Sequence, residues 1–141
     1  MFRSVLDGLE GQPVDVLVTI GSGRDPATIG PVPGNAHVEQ YVPQSPLMPE
    51  CALVICHGGA GTTLGALAHG VPLLLLPQGA DQYIISERVA ASGAGLRLVP
   101  SVPTPFANVR SSFCIIRSTA RRPCAFNQKS RRCLHLTRWC L

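Results

Sequence analysis

Apolar and polar positions along the first hundred residues follow two different periods, and these predict alternating strands and helices. Mostly apolar runs over 14–20, 52–56 and 73–76 predict strands buried on both faces, with shorter strands over 37–42 and 95–99. Helical spacing predicts helices over 2–10, 61–69 and 81–92. This order indicates an α/β fold with a parallel sheet covered by helices on both faces.

The helix over 61–69 places Leu64, Leu67 and Ala68 on the side that we expect to face the core. Gly70 suits the position just after the end of this helix, and Pro72 beyond it cannot continue a helix. In the helix over 81–92, Ile85 and Val89 lie one turn apart, and Gly93 suits its end. Residues 24–36 contain three prolines and two glycines, which is typical of a loop.

Candidate chemistry follows the apolar run 52–56, where the sequence reads His57-Gly58-Gly59-Ala60-Gly61-Thr62-Thr63. A strand that ends in a glycine-rich turn and enters a helix is a ready anion site, because the first amides of the helix point outward. The sequence is neither G-x-G-x-x-G nor a Walker loop. We interpret it as a diphosphate cradle with additional donors from the histidine and threonine side chains.

Two further polar loops are expected at the same edge of the sheet. The turn 41–44 and the loop 77–82 each follow a predicted strand, and ligands of parallel sheets bind beyond the carboxyl ends of the strands. Three candidate loops at one edge support a binding site more strongly than the glycine-rich turn alone.

Charge divides the chain near residue 100. Residues 1–100 have a net charge of −4, whereas 101–141 have a net charge of +8 and four of the six cysteines. The second part shows no sustained helical or strand period. We therefore divide the chain into a first domain, 1–100, which contains the predicted strands and helices, and a basic tail, 101–141, expected to be disordered or poorly folded. A changed reading frame after about Pro100 is our hypothesis for this break.

The four segments 41–44, 57–63, 70–72 and 77–82 match in order and spacing the donor-binding C-terminal half of two-domain GT-B glycosyltransferases. The resemblance is to bacterial enzymes that glycosylate macrolides and other natural products, and to the related enzymes that use uridine diphosphate sugars. It covers roughly residues 1–100 and implies that they form a partial nucleotide-sugar-binding domain, which is Rossmann-like and is one half of a GT-B fold.

The resemblance assigns a donor-binding role to eleven residues. Tyr41 would stack on the nucleobase, with the Val42 backbone and Gln44 near the base edge. His57, the backbone from Gly59 through Ala60 and Gly61, and the Thr62 and Thr63 hydroxyls would hold the diphosphate. Asp81 and Gln82 would bind the sugar hydroxyls. Gly65 occupies a position where many enzymes with uridine donors have a ribose-binding Glu, which favours a thymidine diphosphate deoxysugar over a uridine diphosphate sugar.

Inverting transfer of a hexosyl group to an acceptor hydroxyl is the activity that the resemblance implies. The donors around the diphosphate would replace a metal, in agreement with the absence of an Asp-x-Asp motif, and no cofactor is expected. The general base belongs to the N-terminal acceptor domain, which this chain lacks, so we expect no catalytic residue here and no activity from this chain alone. No apolar run is long enough for a membrane helix, the N-terminus has no signal-peptide core, and we expect a cytoplasmic protein.

Simpler interpretations remain open at this point. Tyr41 could be a core residue, Asp81 a helix cap, and Thr62 and Thr63 local caps. His37 and His69 are expected on the surface, and Cys51 and Cys56 in the core. The chain could also be a separate nucleotide-sugar-binding subunit, or a basic interaction protein acting through its tail. We expect neither specific nucleic-acid binding nor a zinc site formed by Cys124, Cys133, His135 and Cys140.

Overall fold

The computed structural model describes residues 2–99 and the backbone of residues 113–118. Three helices lie in this part: α1 (Phe2–Leu9), α2 (Ala60–Ala68) and α3 (Gln82–Ala91). The six strands described are β1 (Val14–Thr19), β2 (Ala36–Glu39), β3 (Leu53–Cys56), β4 (Leu73–Leu75), β5 (Gly95–Arg97) and β6 (Phe113–Ser118). Short 3₁₀ helices cover Pro26–Ile29 and Met48–Glu50.

One six-stranded sheet organises these elements, in the order β2-β1-β6-β3-β4-β5. The pairs β1–β2, β3–β4 and β4–β5 are parallel, which confirms the α/β, Rossmann-like fold. β6 runs antiparallel to both β1 and β3 and lies between them. The sheet is therefore mixed, and a strand lies within the segment 101–141 where the sequence pattern predicted none.

Two apolar clusters cover opposite faces of the sheet, which explains the continuous apolar runs. In β3, Val54 and Cys56 belong to one cluster and Ile55 to the other. Leu6 of α1 packs on the Ile55 side, whereas Ala66 of α2 and Val89 of α3 pack on the other side. Successive strand residues point to opposite faces, so a strand between two helical layers needs apolar residues throughout.

The predicted inward face of α2 is wrong. Leu64 is 65% exposed, Leu67 is 37% exposed and Ala68 is exposed, while Thr63 and Ala66 are the buried residues. The helix packs closely through small side chains, and an added Cβ at Gly65 would lie 3.8 Å from the Met48 methyl carbon. The prediction placed the larger apolar residues of the helix against the core. In the structure the helix instead meets the core through its small residues, Thr63 and Ala66.

The helix ends follow the predicted glycine signals. Gly70 has φ +66° and its N–H donates to the Leu67 carbonyl, at 3.0 Å. Gly93 has φ +76° and its N–H donates to the Ala90 carbonyl, at 3.1 Å. Both adopt the left-handed conformation that favours glycine after a helix. β2 is shorter than predicted and ends at Glu39, which leaves Tyr41 and Val42 in the following loop.

Within residues 2–99 and 113–118, no helix has the length and apolar content needed to cross a membrane. The predictions on the tail cysteines, the zinc ligands and the Arg clusters concern residues that lie outside the described part, apart from the backbone of β6.

Candidate functional site

Three loops meet at the carboxyl edge of the parallel strands, as the sequence predicted. The Thr62 hydroxyl and the Gln44 side-chain oxygen are 3.0 Å apart, which joins the start of α2 to the segment after β2. A Cβ added at Gly58 would lie 3.4 Å from the Gln82 carbonyl oxygen, so the start of α3 lies against the glycine-rich loop. The geometry therefore gathers Gln44, Gly58, Thr62 and Gln82 into one site.

The N-terminus of α2 presents a set of backbone donors. Gly59 is the N-cap residue, with φ −64° and ψ 138°, and as a glycine it has no side chain with which to cap the helix. The first helical hydrogen bond runs from the Thr63 N–H to the Gly59 carbonyl, at 3.1 Å, so the amides of Ala60, Gly61 and Thr62 precede the intrahelical ladder. No acidic residue lies in the first turn. Such an end carries partial positive charge and attracts anions.

The His57 side chain lies directly over this helix end and is only 9% exposed. A Cβ at Gly59 would lie 3.3 Å from His57 Cε1 and only 2.6 Å from Nε2, and the second distance is closer than a Cβ atom tolerates. Glycine at 59 is therefore required by the imidazole position. Gly58, with φ +91°, provides the sharp turn that brings the ring back over the helix.

The two predicted threonine donors are placed differently. Thr62 is half-buried and directs its hydroxyl to Gln44. Thr63 is 2% exposed, and its buried hydroxyl lies beside the Cys56 thiol without a full hydrogen bond to a partner among the described residues. Thr62 is thus positioned at the mouth of the site, whereas the Thr63 side chain belongs to the packed interior of α2.

Tyr41 is 70% exposed, which rules out the interpretation that it is a core residue. It follows β2 by two positions, and Val42 beside it is half-buried. An exposed aromatic ring at the edge of a site is available for stacking on a flat ligand.

The loop before α3 carries a different set of groups. Asp81 occupies the N-cap position but has φ −65° and ψ −16° and makes no side-chain capping bond, so the capping interpretation is wrong. Its carboxylate is exposed. Ala80 before it has φ +50°, a left-handed conformation that is uncommon for a residue with a Cβ. The Gln82 side-chain oxygen accepts from the Gln78 N–H at 2.9 Å, which fixes that side chain across the loop.

Two cysteines lie near the strand that leads into the site: Cys56 ends β3, and Cys51 lies just before it. Burial raises the pKa of the Cys56 thiol, while the Gly58 N–H and the nearby Thr63 hydroxyl oppose this rise. Burial and the charge of Glu50 raise the pKa of Cys51 to about 11. Both thiols are therefore protonated at neutral pH, and Cys56, which is fully buried, is a packing residue as predicted. His37 and His69 lie on the surface, also as predicted.

The described residues contain no group of three or more His, Cys, Asp or Glu side chains arranged to hold a metal ion. Sequence reasoning missed the Thr62–Gln44 hydrogen bond, the strained Ala80 and the presence of β6 beside the site. The bond joins residues 18 positions apart, and no local pattern reports such a contact.

Comparison with known proteins adds an independent line of evidence. A family model described as erythromycin biosynthesis protein CIII-like, C-terminal domain, matches residues 3–129. That match extends past residue 100, where the resemblance in the motifs ended. The chain is 41% identical over 101 residues to the elloramycin glycosyltransferase ElmGT of Streptomyces olivaceus, a match that covers 71% of this chain and 26% of that protein.

Solved structures give the same result. The calicheamicin glycosyltransferase CalG4 matches with a TM-score of 0.67 and 33% identity, over 74% of this chain and 27% of that one. The glycosyltransferase VinC, solved in complex with DTDP, matches with a TM-score of 0.61 and 34% identity, over 69% of this chain and 24% of that one. The chain spans about a quarter of the length of these relatives. It belongs to the family of erythromycin biosynthesis protein CIII-like C-terminal domains.

Proposed function

We propose that this chain provides the donor site of a glycosyltransferase of the macrolide and natural-product type. It binds a nucleoside diphosphate sugar, whose hexosyl group passes to a hydroxyl group of a small-molecule acceptor bound by a separate acceptor domain. The observation that carries this proposal is the N-terminus of α2, which begins at a glycine and has the His57 ring beside it.

The diphosphate is assigned to the start of α2. The Ala60, Gly61 and Thr62 amides and the His57 ring would donate hydrogen bonds to its oxygens, and the Thr62 hydroxyl lies beside them. The Thr63 hydroxyl is left out of this set because it is buried. As the bond between the sugar and the diphosphate breaks, negative charge grows on the leaving group. Donors fixed in advance at that position stabilise the charge and lower the barrier.

The nucleoside and the sugar are assigned to the flanking loops. The exposed Tyr41 ring would stack on the base, with Val42 and Gln44 along its edge. The exposed Asp81 carboxylate and Gln82 would accept and donate hydrogen bonds to the sugar hydroxyls. Deprotonation of the acceptor hydroxyl is assigned to a base in the acceptor domain, whether that domain is part of a longer chain or a partner subunit.

The donor assignment is tested by calorimetry with thymidine diphosphate and the chain as it stands. We expect His57→Ala to weaken binding by about 1–3 kcal/mol, roughly 5- to 150-fold in Kd, because a hydrogen bond to a charged group is lost. The matched control is His69→Ala, since His69 is exposed at the far end of α2, where its Nδ1 lies 3.0 Å from the Gly65 carbonyl oxygen. Equal Kd values for the two variants would contradict the assignment.

The choice between thymidine and uridine donors is tested at Gly65. We propose that a small residue here suits a deoxyribose, which has one hydroxyl fewer. Gly65→Glu should increase the affinity for uridine diphosphate relative to thymidine diphosphate, because a carboxylate can accept from both ribose hydroxyls. Gly65→Gln, which has the same size without the charge, is the control. An unchanged ratio of the two affinities in Gly65→Glu would refute this preference.

A further inference from the structure

The position of β6 in the sheet departs from the usual doubly wound order. That order is 3-2-1-4-5-6, with all six strands parallel. β2, β1, β3, β4 and β5 correspond to positions 3, 2, 4, 5 and 6 of this order. Position 1, the gap between β1 and β3 that we call the strand slot, is filled by β6 in the reverse direction.

The register shows that β6 closes the slot on both sides. Phe113, Ile115 and Arg117 lie opposite Thr19, Leu17 and Asp15 of β1. Cys114 and Ile116 lie opposite Ile55 and Leu53 of β3. Without a strand in the slot, β1 and β3 would each present an unpaired edge in the middle of the sheet. Unpaired strand edges are templates for another extended segment.

The directions of the backbone amides agree with this pairing. The Val16 and Ile20 N–H groups donate toward β2, to the carbonyls of Asn35 and Glu39. Because successive amides of a strand alternate sides, those of Leu17 and Thr19 point into the slot. The Val54 N–H donates to the Pro72 carbonyl on the β4 side, so that of Ile55 also points into the slot.

β5 ends and β6 begins at the same edge of the sheet. This follows because β5 is parallel to β3 and β4, whereas β6 is antiparallel to β3. Three strand spacings separate the two strands, about 14 Å.

We propose that the strand slot is a strand-acceptor site and that residues 113–118 fill it as a separable strand, which also binds when supplied as a separate peptide. Main-chain hydrogen bonds to β1 and β3 provide the binding, as in other cases of strand addition. The proposal does not depend on the function of the donor site, and its test uses no nucleotide.

The test is amide hydrogen exchange, resolved by residue, on the full chain. In the unmodified chain we expect the slot-facing amides of Leu17, Thr19 and Ile55 to be protected. Ile115→Pro removes a ladder donor from β6, and it should lower this protection at least tenfold. Val16 and Val54, which donate to other partners, should keep their protection. Ile115→Val is the matched control, because it retains the N–H and the strand propensity.

A second measurement adds a synthetic peptide of residues 111–120 to the Ile115→Pro variant. We expect it to restore the protection of Leu17 and Ile55, whereas a scrambled peptide should not, and this outcome is informative even if the variant alone is unfolded. Slot-facing amides that exchange freely in the unmodified chain would overturn the proposal. So would protection that survives Ile115→Pro, since another segment would then occupy the slot. A peptide without effect would overturn binding in trans.

Discussion

The helices α2 and α3 both follow a buried parallel strand and begin at the same edge of the sheet, yet the residues at which they begin differ in character. The start of α2 contains glycine, small residues and backbone donors, with no acidic side chain. The start of α3 has the exposed Asp81 carboxylate, preceded by the strained Ala80. The N-cap residue of α2, Gly59, has no side chain, and the Asp81 side chain does not cap α3.

A third element shows that this chain can cap in the ordinary way. Asp25 begins the 3₁₀ helix Pro26–Ile29, and its carboxylate accepts from the Ala27 N–H at 2.9 Å. Asp81 has the same side chain at an equivalent position and makes no such bond. Asp81 therefore contributes less to helix stability than its position predicts, and its carboxylate remains available at the site.

The two helix ends are complementary toward one kind of ligand. Amides at the end of a helix dipole attract an anion, whereas a carboxylate repels an anion and accepts from hydroxyl groups. Their adjacency, through Gly58 and Gln82, suits a ligand with an anionic part next to a hydroxyl-rich part. A nucleoside diphosphate sugar has both parts in that order, in agreement with the proposed function.

The strongest test of the α2 end is Gly59→Ala. The new Cβ would lie 2.6 Å from His57 Nε2, so the imidazole must move off the helix end. We expect the Kd for thymidine diphosphate to rise at least tenfold and the free energy of unfolding to fall by about 1–3 kcal/mol, as overpacking does. Calorimetry and chemical denaturation measure the two effects.

The control for this substitution is Gly8→Ala in α1, where an added Cβ meets nothing within 4 Å. It should leave the Kd unchanged and stabilise the protein by about 0.5–1 kcal/mol, through helix propensity. If Gly59→Ala bound the nucleotide as tightly as Gly8→Ala, the imidazole would have no role at the helix end.

The α3 end is tested by comparing Asp81→Ala with Asp25→Ala. Asp81→Ala should weaken binding of a thymidine diphosphate sugar about tenfold, because hydrogen bonds to a charged acceptor are lost, and leave the affinity for thymidine diphosphate unchanged. Its free energy of unfolding should change by less than about 0.5 kcal/mol. Asp25→Ala should show the reverse pattern, with both affinities intact and a loss of about 1 kcal/mol in stability. If the two variants changed affinity and stability in the same way, Asp81 would have no separate role in binding the sugar.

The two threonines of α2 allow a finer test of the anion-binding end. Thr62→Val removes the hydroxyl that bonds Gln44 and should weaken thymidine diphosphate binding by about 1 kcal/mol. Thr63→Val removes a buried hydroxyl that lies beside the Cys56 thiol, and should change the free energy of unfolding by less than about 1 kcal/mol with no loss of affinity. Weaker binding of thymidine diphosphate by Thr63→Val would show that the Thr63 hydroxyl is part of the donor site.

The sequence predicted the elements well because local signals define them. Gly70 and Gly93 end helices, and the apolar runs around Ile55 and Leu74 report strands covered on both faces. The prediction of which face of α2 points inward was wrong, because that face depends on how the helix packs in the fold and not on its own sequence alone. β6 was missed because it lies in a segment without a sustained period and because its partners, β1 and β3, are far away in the chain. The site loops were located from spacing, but the contacts between them, such as Thr62 to Gln44, depend on the fold.

The smallest effect in this comparison is expected at Ala80, the strained residue ahead of α3. Ala80→Gly should increase the free energy of unfolding by about 0.5–1 kcal/mol, because glycine adopts φ +50° without the Cβ penalty, offset in part by its greater freedom in the unfolded chain. Gly93→Ala is the reciprocal control, since it places a Cβ at φ +76° and should destabilise the protein. Thermal unfolding measures both. If the strain holds Asp81 in position for the sugar, Ala80→Gly will also weaken binding of the nucleotide sugar, but not of the nucleotide, and stability and affinity will move in opposite directions.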